Sequence, residues 1–393
     1  MNVLMISLDP TLAMDRQSVV GDSRERHIAY GKHLSQLFIV VMGAKTRNLR
    51  PQRLSHNVVV QPVSYKEPLS YIRNTYKVCL GICQSHKIDV IATQDPFATG
   101  LVGYLLKRKL GIPLAIQLHG DFFDNQYWLR ENFKNPVFNF FGKWLIKRAD
   151  GIRAVSSGIK QKLIHYGLPE NKIWVVPAPV FLNKFSRSSP EKVNDIRQKY
   201  SLPEGRTTLF VGYLTKAKNI ANLLNAAKII TQRYADARFL ICGEGEERKS
   251  LEHLSQELGI EDNVIFTGQI PYDELPDYYY VCDIFVLPSS HESFGLVLLE
   301  AGMAGKPVVA TDLTGPRDIV VDQVTGFLVP PQRPEALAAR ISTLMEQPEL
   351  ARQLGENARR HIASNFDTET GIKKVIDMWA NTIKLAAGGE KQP

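Results

Sequence analysis

Glu292 and Glu300 lie with seven residues between them in the segment His291-Glu292-Ser293-Phe294-Gly295-Leu296-Val297-Leu298-Leu299-Glu300. An apolar run ending at Pro288 precedes the segment and reads as a strand, and an amphipathic helix pattern opens within it. The start of a helix presents backbone N–H groups without helical partners and the positive end of the dipole, which suits a phosphate or pyrophosphate. Glycine at 295 lets a ligand approach the main chain closely. Glu292 then sits in the loop ahead of the amides of Phe294, Gly295, Leu296 and Val297, and Glu300 more than one turn into the helix. One carboxylate can accept sugar hydroxyls and the other ribose hydroxyls, with the phosphates between them.

Three other segments carry chemistry. Val211-Gly212-Tyr213-Leu214-Thr215-Lys216-Ala217-Lys218-Asn219 follows another strand pattern, and a lysine there can offset phosphate charge as a point cation. His119-Gly120-Asp121 follows the run Leu114–Leu118, so the histidine falls at a strand's carboxyl end, with Asp121 as a candidate acceptor contact. Between the first strand and first helix, the stretch from Val20 to His27 holds Gly21, Arg24 and Arg26; the two arginines could meet an anionic acceptor or lie exposed on a helix. No Asp-x-Asp signature and no His/Cys metal spacing is present, so no metal and no bound cofactor is expected. Gly243-x-Gly245 lacks the rest of a dinucleotide fingerprint, and no nucleic-acid motif accompanies the basic residues.

These residues need a scaffold. At 393 residues the chain exceeds one ordinary core, so two domains are expected. Apolar runs alternate with helical patterns twice over. The first set comprises Val3–Leu8, Leu37–Met42, Val58–Val63, Asp89–Thr93, Leu114–Leu118 and Gly151–Val155. The second comprises Thr208–Gly212, Arg238–Cys242, Val264–Thr267, Ile284–Leu287 and Pro307–Thr311. Such alternation predicts an α/β protein with two doubly wound, Rossmann-like domains facing across a cleft, ligands binding at strand carboxyl ends. The predicted boundaries are 1–182, 183–365 and a last helical segment, 366–393, that packs back on the first domain. The start Met1–Leu8 reads as a buried strand rather than a signal peptide, no run spans a membrane, and four cysteines without disulfide or zinc spacing read as cytoplasmic thiols.

Net charge is +8, divided unevenly: 26 Lys and Arg against 12 Asp and Glu over residues 1–190, and 22 against 28 over the rest. The basic half could face anionic lipid or a phosphorylated acceptor, or be an ordinary solvated surface. Within it, Pro136–Arg148 is aromatic and basic, with Val137, Phe138, Phe141, Trp144 and Leu145 at helical spacing. That stretch fits a helix resting on a membrane surface, or one covering the first sheet.

With the E-x7-E segment, Gly243-Glu244-Gly245, Phe266-Thr267-Gly268 and Gly326-Phe327-Leu328-Val329-Pro330 in this order, the chain resembles the retaining nucleotide-sugar glycosyltransferases of family 4, which have the GT-B fold. The resemblance is strongest over 209–331 and weaker through the first domain. It implies a cytoplasmic, metal-independent hexosyltransferase that uses a UDP- or GDP-sugar and a hydroxyl acceptor in polysaccharide or glycolipid synthesis, at the inner face of the plasma membrane where the acceptor is lipid-linked. It implies that Glu292 contacts the donor sugar, Glu300 the ribose, the amides of 294–297 the distal phosphate and sugar, and Lys218 the pyrophosphate. His119 would position the sugar, and Gly21 would line the donor phosphate. Two positions depart from the family: Tyr213 stands where arginine is usual, and Asn219 where glycine is common. The first departure leaves open a catalytically weak nucleotide-sugar-binding subunit, and the architecture leaves open a nucleotide-sugar epimerase.

Overall fold

The computed structural model describes residues 1–14, 22–43, 49–64 and 68–389. The chain divides into two compact units. The first takes Met1–Val180 together with the C-terminal segment from Glu369, and the second takes Phe181–Thr368.

The first unit is built on eight strands: β1 (Asn2–Ser7), β2 (Gln36–Met42), β3 (Gln52–Ser55), β4 (Val58–Val63), β5 (Val90–Thr93), β6 (Leu114–Leu118), β7 (Gly151–Ala154) and β8 (Ile173–Val175). They run in the order β3-β4-β2-β1-β5-β6-β7-β8. All neighbours pair in parallel except β3, which is antiparallel to β4 at the edge. Strands β2, β5 and β6 are almost wholly buried apolar runs, as a parallel sheet covered on both faces requires. Edge strand β3, Gln-Arg-Leu-Ser, is polar and keeps none of its residues buried.

The helix Thr368–Gly389 belongs to this unit and buries Ile372, Val375, Met378 and Trp379. The Trp379 ring meets Tyr30 edge-on at 5.6 Å. At Gly151 an added Cβ would fall 2.0 Å from Thr382 Oγ1, so the start of β7 can touch this helix only as glycine.

The second unit holds β9 (Thr207–Val211), β10 (Arg238–Cys242), β11 (Val264–Gly268), β12 (Ile284–Leu287), β13 (Val308–Thr311) and β14 (Gly326–Val329), in the order β11-β10-β9-β12-β13-β14 and parallel throughout. Among the parallel strands of each sheet the order reverses once, beside β1 in the first and beside β9 in the second. Loops leaving the carboxyl ends of strands diverge at such a reversal and open a crevice between them.

The helix Asn135–Ile146 contradicts one of its two sequence readings. Of the apolar residues at helical spacing, only Leu145 is buried, while Val137, Phe138, Phe141 and Trp144 stay exposed. It is not a helix that covers the sheet with its aromatic stripe. Among the described residues no helix is long and apolar enough to cross a membrane, and the four cysteines are unpaired.

Candidate active site

Glu292 and Lys218 meet in the crevice where the second sheet reverses. Strand β9 leads into Gly212–Asn219, and β12 into Pro288–Gly295 and the helix Leu296–Met303. Main-chain bonds tie the two loops together: the Ser290 N–H donates to the Ala217 carbonyl at 2.9 Å, and the Ser290 hydroxyl to the same oxygen at 3.3 Å. That register places the Lys218 ammonium 2.5 Å from a Glu292 carboxylate oxygen. Both side chains are mostly covered, so the pair is shielded from bulk water more than a surface ion pair. The Ser289 hydroxyl lies 3.4 Å from the same oxygen, and Thr311 Oγ1 fixes the Ser289 carbonyl at 2.6 Å.

Gly295 caps the helix with φ +95°, a left-handed conformation that a side chain would strain. The first turn that follows leaves the amides of Leu296 and Val297 without helical acceptors. Phe294 is buried, its ring 6.1 Å from that of Phe366, and this contact anchors the loop. Gly315 presses on this loop: a Cβ there would come 2.3 Å from Phe294 N.

Glu300 is buried, and one of its oxygens accepts from the Tyr279 hydroxyl at 2.7 Å. Burial and then the adjacent Glu300 charge push the Tyr279 phenol well above its ordinary pKa, so it remains a donor. Sequence reasoning missed Tyr279, Ser289, Thr311 and Gly315. The Pro288-Ser289-Ser290 and Gly315-Pro316 turn signals could have marked two of them; Tyr279 reads as one more apolar helix residue in Tyr278-Tyr279-Tyr280.

The two departures from the family pattern differ in kind. Asn219 adopts φ +49°, ψ +45°, the left-handed region that asparagine tolerates better than other side chains, so the turn common with glycine is retained. Tyr213 is 71% exposed at the mouth of the loop and brings no charge. Lys216 is also exposed, its carbonyl 3.4 Å from the Ser290 hydroxyl.

In the first unit, His119 sits at the end of β6. It is accessible to solvent, yet desolvation by the surrounding protein comes first among the causes that push its pKa down to about 3, followed by the charges of Arg153, Arg26 and His27. All of these causes act in one direction, toward the neutral imidazole. Arg153, buried in β7, spends its guanidinium on Gln117 Oε1 and the carbonyls of Val176 and Pro177, all within 2.8 Å. Arg26 pairs with Asp22, and Arg24 donates to the Met14 carbonyl at 3.1 Å. Asp121 is buried, with one oxygen 2.5 Å from Lys162 and the other accepting from Asn125, so it braces the turn after His119. Gly21 lies outside the described residues. Among the described residues no group of three or more His, Cys, Asp or Glu side chains could hold a metal ion.

Residues 32–184 match the family described as "Glycosyltransferase Family 4", and residues 192–361 the one described as "Glycosyl transferases group 1". A D-inositol 3-phosphate glycosyltransferase of Thermobispora bispora is 34% identical over 311 residues, which cover 76% of this chain and 72% of that protein. An alpha-monoglucosyldiacylglycerol synthase of Streptococcus pneumoniae is 27% identical over 314 residues, covering 78% and 70%. Among solved structures, Anabaena HepE in complex with UDP-glucose superposes with a TM-score of 0.77 at 20% identity, over 96% of this chain and 99% of that one. The chain therefore belongs to the family 4 glycosyltransferases and has their GT-B fold.

Proposed function

We propose that the protein is a retaining, metal-independent hexosyltransferase that moves a hexose from a UDP- or GDP-sugar to a hydroxyl acceptor, lipid-linked or anionic, in polysaccharide or glycolipid synthesis. The observation that carries this reading is the Lys218–Glu292 pair, held at 2.5 Å beside the Gly295-capped helix at the reversal of the second sheet. An ammonium, a carboxylate and free helix amides in one crevice match a diphosphate with a sugar attached. HepE, a structural neighbour, binds UDP-glucose, which supports a uridine donor without fixing the sugar.

In this reading the second unit binds the donor and the first the acceptor. Glu300, held by Tyr279, takes the ribose hydroxyls, and Glu292 the sugar hydroxyls. As the bond from the anomeric carbon to the diphosphate oxygen breaks, Lys218 and the helix amides stabilise the charge gathering on the leaving phosphate. The acceptor oxygen bonds to the same face of that carbon, and its proton passes to a phosphate oxygen of the departing diphosphate. His119, neutral by the causes given above, serves as a hydrogen-bonding partner of the sugar rather than a cation.

The test is a panel of UDP- and GDP-sugars with and without hydroxyl acceptors, in chelator, with products resolved by mass spectrometry and the new anomeric configuration by NMR. An inverted product, or transfer that stops with chelator, would overturn the mechanism. A donor altered in the absence of acceptor would indicate an epimerase. The uncharged Tyr213 favours one second reading, a subunit that binds nucleotide-sugar without turning it over; binding with no transfer or hydrolysis across the panel would establish it.

A further inference from the structure

We propose that the outer face of the helix Asn135–Ile146 docks the protein on an anionic phospholipid surface. Val137, Phe140, Phe141 and Trp144 recur at helical i, i+3, i+4 and i+7 spacing and form one stripe, which points to solvent. Phe140 is 70% exposed and Phe141 57%, and Phe133, just ahead of the helix, is 85% exposed. Single exposed apolar residues are ordinary, but a continuous aromatic stripe on one helix marks an interaction site.

The helix cannot roll to hide this face. Its inner side carries Gly142, where an added Cβ would fall 2.6 Å from Phe97 Cε1 and 2.8 Å from Phe123 Cε1, with Leu145 and Ile146 buried beside it. Aromatic side chains are thus held outward by a locked inner face.

The charge around the stripe selects the occupant. Lys134 and Lys147 are exposed at its ends, and the Arg148 guanidinium lies 3.6 Å above the Trp144 ring, in the chain half that carries 26 Lys and Arg against 12 Asp and Glu. Tryptophan beside basic groups fits the headgroup boundary, where apolar rings enter the acyl region and cations meet lipid phosphates. A second copy of the chain meeting this face about a two-fold axis would bring like charges together. The surface is distinct from the donor site and does not depend on the sugar-transfer reading.

The experiment is co-sedimentation of the full chain with vesicles of phosphatidylglycerol and phosphatidylcholine in equal parts, and with phosphatidylcholine alone, at low and high salt. Binding to the anionic vesicles is expected. A Phe140→Ser/Phe141→Ser variant should weaken it by about ten-fold or more, the effect of withholding two rings from an apolar phase. A Lys134→Glu/Lys147→Glu variant should weaken it most at low salt, where screening is least. Far-UV circular dichroism and thermal unfolding check that both variants fold, and donor hydrolysis in solution should not change. A parent chain left in the supernatant with anionic vesicles at low salt overturns the proposal, as does a Phe140→Ser/Phe141→Ser variant that still binds like the parent. So does a parent that self-associates through this face, seen as a dimer that the same variant dissolves, without vesicle binding.

Discussion

Glu292→Gln should move nucleotide binding and turnover in opposite directions. The Glu292 carboxylate lies 2.5 Å from the Lys218 ammonium, the cation proposed for the diphosphate. A nucleotide without a sugar must therefore draw Lys218 away from an existing partner and gains nothing from Glu292 in return. Glutamine keeps the shape and removes the charge. The pair is more covered than the exposed ones that contribute up to about 1 kcal/mol, and less so than a buried pair, so about 1 kcal/mol is a fair measure of the competition. Free UDP should then bind about five-fold more tightly to the variant, as read by calorimetry. Sugar transfer should fall by about 10²-fold or more, because glutamine is a poorer acceptor for the sugar hydroxyls whose placement sets the reacting geometry. Weaker UDP binding by the variant, or near-normal transfer, would refute the assignment of the two side chains.

Tyr213→Arg should restore a cation at the mouth of the diphosphate loop and tighten nucleotide-sugar binding by about ten-fold by calorimetry, the worth of one charge-assisted contact; unchanged or weaker binding would count against that place for the diphosphate. Tyr279→Phe removes the 2.7 Å donor to buried Glu300, so KM for the nucleotide-sugar should rise several-fold while kcat changes little, and a fall in kcat alone would contradict the ribose assignment. His27 is buried, and desolvation, then the Arg26 charge, lowers its pKa from the ordinary 6.5 to about 4 against the opposing pull of the Ser23 carbonyl. The folded protein thus holds fewer protons than the unfolded chain between these values, so stability is full above about pH 6.5 and falls as pH drops toward 4, by up to about 3 kcal/mol. Denaturant titrations should follow that curve, and His27→Gln should flatten this part of it; an equal slope in the variant would assign the loss elsewhere.

Parallel strands buried on both faces write themselves into sequence as short apolar runs, which is why β1, β2 and β12 were legible within a residue or so. Polar edge strand β3 and three-residue β8 have no such run, and β14 reads as a motif rather than as a strand. At the site, Glu292, Gly295 and Glu300 were visible because helix start, glycine and carboxylates fall within ten residues of sequence. Their supports were not: Tyr279 lies 21 positions before Glu300, and the Ala217 carbonyl that holds Ser290 lies 73 positions before it. The Asn135–Ile146 helix shows a different limit. Periodicity says that a stripe exists, and only the contacts at Gly142 decide which way it faces.

The two departures from the family pattern together shift the load onto one side chain. Asn219 keeps the left-handed turn, so Lys218 is delivered to the same place that a glycine there would allow. Tyr213 keeps the exposed position and loses the charge. With Lys216 exposed, the positive charge of the diphosphate site proposed above would rest on Lys218 and the main-chain amides after Gly295. Removing one preorganised donor from a site of this type costs about 10²–10³ in rate. Lys218→Ala removes the cation of a loop in which Tyr213 supplies none, so its loss in sugar transfer should lie at the upper end of that range and should shrink when Tyr213→Arg is added. Two variants that act additively, measured as kcat/KM over the double-mutant cycle, would show that the two positions do not serve one phosphate group.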